Sequence, residues 1–173
     1  LLLKKGKLDP HIGESSALRT AVNKENVPMV KLLMEDGRSN PGACCNEALR
    51  SAVRTKNADI LRLLLKSKRC NPKVDNDCLL RSAVSGNNIE IARLLLCDRR
   101  AYPAVNDNEF LVHAIRRGHV DMVRLLLGFY AVDPSTHNNL VLRISMEKGY
   151  ASIVHLLVKD TRMECVIQDV NQP

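Results

Sequence analysis

Prolines at positions 10, 41, 72, 103 and 134 stand 31 residues apart, with no insertion between them. A chain that keeps one step so strictly is built from copies of a single supersecondary unit. Each copy is too small to bury its own apolar face, so the copies must stack. Other columns keep the same step. Leu18, Leu49, Leu80, Leu111 and Leu142 form one, and Ala21, Ala52, Ala83, Ala114 and Ser145 form another. Apolar triplets begin at Leu32, Leu63, Leu94, Leu125 and Leu156. The next step after Pro134 lands on Glu164-Cys165, a decayed copy.

Each unit reads as two helices. Ser15, Asn46, Asp77, Asn108 and Asn139 precede the first helix and are expected to cap it, since their side-chain oxygens can satisfy the free amides of a first turn. That helix carries Leu and Ala on one face. It is expected to stop near Gly86, Gly118 and Gly149, or at Asn26, Asn57 and Asn87-Asn88, residues that tolerate a left-handed conformation. The second helix has apolar residues at helical spacing, such as Ile91, Leu94 and Leu95. On its other side Asp59–Arg62, Glu90–Arg93 and Asp121–Arg124 are spaced to pair in water. A Pro-containing turn leads to the next copy.

The predicted fold is an all-α solenoid of five complete helix pairs: 9–39, 40–70, 71–101, 102–132 and 133–163. Residues 1–8 read as the end of a preceding partial copy, because Leu1-Leu2-Leu3 is in phase with the later triplets. Residues 164–173 read as a decayed start or a C-terminal tail. On this reading the array continues beyond the sequence.

The columns resemble the ankyrin repeat, a helix pair of about 33 residues with a T-P-L-H-x-A signature and a Gly-His turn. The fourth copy reads Leu111-Val112-His113-Ala114, then Gly118-His119, then Leu125-Leu126-Leu127. The copies are two residues shorter than that pattern, which predicts a stubbier finger between one triplet and the next first helix. Thr-Pro is missing, and the signature His is replaced by Arg19, Arg50, Arg81, Val112 and Arg143. The resemblance implies binding through the fingers and the concave face of the inner helices.

Composition narrows the chemistry. Formal net charge is +7 at pH 7, which favours an acidic partner. Aromatics are 3% and Trp is absent, which disfavours a base-stacking reader of single strands, so nucleic acid ranks below protein as partner. No apolar run approaches the length of a membrane span. Cysteines at 44, 45, 70, 78, 97 and 165 show no C-x-x-C pair, and Cys44-Cys45 is a poor disulfide framework. Reduced thiols in the cytosol or nucleus are therefore expected. Cys45, Cys70 and Cys78 could meet near one finger, but the spacing of a zinc site is absent. The five histidines form no H-E-x-x-H or triad pattern, and the scattered glycines form no phosphate loop. No catalytic residue, cofactor or metal is expected.

Candidate partner-binding residues follow from the exposed end of the inner helix. The pairs there are Asn23-Lys24, Arg54-Thr55, Ser85-Gly86, Arg116-Arg117 and Glu147-Lys148, with His113 one turn earlier in the fourth copy. The fourth copy also departs from the rest. Fingers elsewhere carry Asp36, Ser67, Asp98 and Asp160, followed two residues later by Arg38, Arg69, Arg100 and Arg162, and these arginines are expected to tie each finger to its helix through carboxylates and carbonyl oxygens. Here Phe129 and Ala131 take those places, beside Tyr102, Phe110 and Tyr130. Tyr102, Phe129 and Tyr130 are candidate apolar anchors, with Arg116 and Arg117 expected nearby.

Overall fold

The computed structural model describes residues 12–73, 77–98, 105–129 and 132–163. The expectations for Leu1–Leu3, Pro10, Tyr102, Pro103, Tyr130 and the segment 164–173 lie outside these residues. Among the described residues there are ten α-helices, one short 3-10 helix and no strand. They run α1 Ile12–Asn23, α2 Val27–Asp36, α3 Ala43–Arg54, α4 Ala58–Leu65, α5 Cys78–Ser85, α6 Ile89–Cys97, α7 Val105–Arg116, α8 Val120–Leu127, α9 Thr136–Glu147 and α10 Ala151–Val158. The 3-10 turn Thr161–Met163 follows α10. Inner helices (odd numbers) alternate with outer helices (even numbers).

Contacts divide the described chain into two units, 12–73 with 77–83 and 90–98, and 84–89 with 105–129 and 132–163. In the first unit α1 packs on α3, α2 on α4, α1 on α2 and α3 on α4. In the second, α7 packs on α9 and α8 on α10. The repeating columns make these contacts. Ala21, Ala52, Ala83, Ala114 and Ser145 are all buried, and a small side chain there lets inner helices approach. Ser145 satisfies its hydroxyl by donating to the carbonyl of Val141 at 2.6 Å. The outer-helix column Leu33, Leu64, Leu95, Leu126 and Leu157 is equally buried.

The column Val22, Val53, Val84 and Ile115 is buried too, but its fifth member Met146 is 64% exposed. Met146 lies with Gly149, Ala151, Val154 and Val158 along an open apolar hollow at the α9–α10 end.

Two local expectations need correction. The left-handed residues that end the inner helices are Glu25, Lys56, Asn87, Gly118 and Gly149 (φ +50° to +70°), a column of its own that excludes Gly86. Asn26 and Asn57 stand one residue later and cap the outer helices instead, each accepting a first-turn amide at 3.0 Å from Met29 and Ile60 respectively. The second correction concerns the supposed inner-helix caps. Asn46, Asp77, Asn108 and Asn139 also have positive φ, between +57° and +63°. An N-cap residue ordinarily has extended backbone, so these four do not cap the helix. Ser15 lies inside α1. The same short polar side chains are favoured in both conformations, which is why the sequence misleads here.

Candidate functional site

The side chains of Asn46 and Asn108 reach forward to the next finger. Asn46 Oδ1 accepts the amide of Asn71 at 2.8 Å. Asn108 Oδ1 accepts the amide of Asp133 at 3.3 Å, while its Nδ2 donates to the Asp133 carbonyl at 2.6 Å and to Thr136 Oγ1 at 2.8 Å. Both links span 25 residues and join a left-handed residue near the start of one inner helix to the residue before the next proline.

A second clamp joins the fingers. Asp160 grips Arg162 through Nε at 2.7 Å and Nη2 at 2.5 Å, a bidentate pair. Arg162 so held donates to the carbonyls of Leu127 at 2.7 Å, Val132 at 2.5 Å and Phe129 at 3.4 Å, all on the preceding finger. Asp36 and Arg38 repeat the bidentate pair at 2.8 and 3.0 Å. In both pairs the arginine holds the aspartate below its ordinary pKa, chiefly by side-chain hydrogen bonding. These residues build the scaffold under the fingers.

The predicted binding residues divide into three groups. In the first unit Lys24 and Arg54 are exposed, and Arg54 Nη2 donates to Asn23 Oδ1 and Ser51 Oγ, both at 3.2 Å. Thr55 is half-buried and turns its hydroxyl back on the Ala52 carbonyl at 3.4 Å. In the second unit Ser85, His113 and Arg117 come together. Ser85 Oγ shares a 2.9 Å hydrogen bond with His113 Nε2, and Arg117 Nη1 donates to the Ser85 carbonyl at 3.3 Å. His119 adds a 3.2 Å contact from Nδ1 to the Val84 carbonyl. Arg116, the last residue of α7, and Lys148, the residue after α9, are exposed.

Phe129 forms the third group alone. It lies two residues beyond α8, half-buried, with its carbonyl under Arg162. Arg116 and Arg117 precede α8, so the length of that helix, about 12 Å at 1.5 Å per residue, separates them from Phe129. The expectation that they stand near it fails because the two helices of a pair run antiparallel. Tyr102 and Tyr130 lie outside the described residues.

No three metal-ligating side chains converge among the described residues. Cys70 is buried, Cys44 and Cys78 are half-buried, and Cys45 and Cys97 are exposed, and none of these five is in a disulfide among the described residues. No described helix is long and apolar enough to cross a membrane.

A family model described as ankyrin repeats (three copies) matches residues 18–107 and 79–169. No curated protein and no solved structure matches the chain. The match covers most of the sequence and coincides with the helix pairs described above, so the chain belongs to the ankyrin-repeat family.

Proposed function

We propose that the chain is a non-catalytic protein-interaction module that binds an acidic partner along the exposed ends of its inner helices. Ankyrin repeats are in general protein-binding modules, which supports the broad reading. The observation that carries the finer one is the repeated cationic end. At five equivalent pairs, 31 residues apart, the chain places Lys24, Arg54, Arg116, Arg117 and Lys148 against a single acid, Glu147. All five cations are exposed, and Arg54 and Arg117 are aimed by bonds to the preceding copy. A partner can therefore meet these two guanidinium groups with part of their ordering cost already met.

Capture of partners by the whole chain, followed by the triple variant Arg54→Glu, Arg116→Glu, Arg117→Glu, tests this. Weaker capture with a flatter salt dependence is expected. Unchanged affinity and salt slope would show a merely solvated face. A nucleic acid retained with a steep salt dependence would favour the polyanion alternative that the net charge of +7 also permits.

A further inference from the structure

The finger clamp supplies a template for a second site. In repeats one and five an aspartate two residues before the arginine holds it bidentately, as Asp36 holds Arg38 and Asp160 holds Arg162. In repeat two the register puts Ser67 where the aspartate stands, while Arg69 keeps its place. Ser67 Oγ still accepts the Arg69 amide at 3.2 Å, as Asp160 Oδ1 accepts the Arg162 amide at 3.1 Å. The local backbone turn is thus retained without the carboxylate. Arg69 is exposed where Arg38 and Arg162 are half-buried, and its Nη1 only reaches the Gly37 carbonyl at 3.5 Å.

Arg69 and Ser67 line a groove of about 420 Å³ with Lys31, Lys66, Glu35 and Ser39. Its one carboxylate, Glu35, sits 4.0 Å from Lys31. Ser39 is 4% exposed, and its hydroxyl has no hydrogen-bond partner among the described residues. Met34, Leu63 and Pro41 supply an apolar wall.

We propose that this groove is a carboxylate-binding site, in which an Asp or Glu side chain of a partner protein takes the place that Asp36 and Asp160 fill in the other repeats. The arriving carboxylate pairs bidentately with Arg69, with Lys66 nearby to neutralise it, while its aliphatic stem lies on the apolar wall. The occupant rests on the protein-binding reading; the socket itself does not, and it shares no residue with the helix-end cations.

The test is a double-mutant cycle followed by a ligand titration. Ser67→Asp supplies the carboxylate from within, and the midpoint of thermal unfolding should rise by about 2–4 °C. In an Arg69→Gln background the same substitution should give no rise. Acetate is the probe for the open site, titrated against chloride at equal ionic strength while the Arg69 Nε–H resonance is followed. Saturable movement is expected in the parent and none in Ser67→Asp. A rise independent of Arg69 overturns the proposal, as does a non-saturable acetate response shared by both proteins. Neither readout needs the helix-end partner, so loss of that partner in the triple variant leaves this result standing.

Discussion

Lys56 and Glu25 hold left-handed backbone where the later copies have Asn87, Gly118 and Gly149. A side chain with a Cβ is strained there, and glycine is not. Lys56→Gly should therefore stabilise the chain by about 0.5–1 kcal/mol, less than the full strain because glycine also loses more entropy on folding. A lower unfolding midpoint in chemical denaturation would contradict this.

Asp77 poses the opposite problem. It is 1% exposed, left-handed, and neither carboxylate oxygen has a hydrogen-bond partner among the described residues. Desolvation raises its pKa, against the pull of Lys73 and Arg81. Between the ordinary carboxylate pKa and the raised folded one, the folded state holds a proton that the unfolded chain has released, so stability present at lower pH is lost as pH rises through the folded pKa. Asparagine at the equivalent positions 46 and 108 bonds to the next finger. Asp77→Asn should stabilise by about 1–2 kcal/mol at pH 7, and the gain should shrink as pH falls and Asp77 protonates. A gain that does not depend on pH would mean that the charge is not the source of the penalty.

At the scale of the helix pair, Gly42 shows how closely one finger passes the next turn. A Cβ there would come within 2.1 Å of the Arg69 carbonyl oxygen, which is backbone and cannot swing aside. Gly42→Ala should cost about 1–3 kcal/mol through the shift it forces, read as a lower unfolding midpoint with the helical circular dichroism signal retained. This close approach was not legible in the sequence, where Gly42 is one glycine beside a proline.

The helices were legible because burial imposes a period. Ala83 and Leu95 can be placed inside from the columns alone. The short polar residues were not, because an asparagine before a helix can cap it or turn left-handed, and only the fold shows that Asn46 and Asn108 spend their side chains on the following copy. The column comparison did isolate Asp36 with Arg38 and Asp160 with Arg162 as a repeating pair that ties the finger through carboxylates and carbonyl oxygens, and Arg162 collects three carbonyls of the preceding copy. Phe129 was singled out for its rarity, and rarity carries no information about which end of a helix pair it occupies.

For the whole molecule, the column through Val22 differs from the other two at its last member. Ile115 is fully buried and Met146, one copy later, is largely exposed. Ile115→Ala should cost about 2–5 kcal/mol, and Met146→Ala should stay within about 0.5 kcal/mol. Equal losses at the two positions, measured by equilibrium denaturation, would mean that the α9–α10 face is covered in solution. The carbonyl and asparagine clamps described above reach from 25 to 35 residues along the chain. For a polypeptide emerging from the ribosome, that reach is a timetable. A helix pair finds its clamping partners once roughly one further copy has been synthesised, whatever the eventual length of the array. Folding can then keep pace with translation at a constant lag, with the loop-closure entropy set by one period instead of by the whole chain.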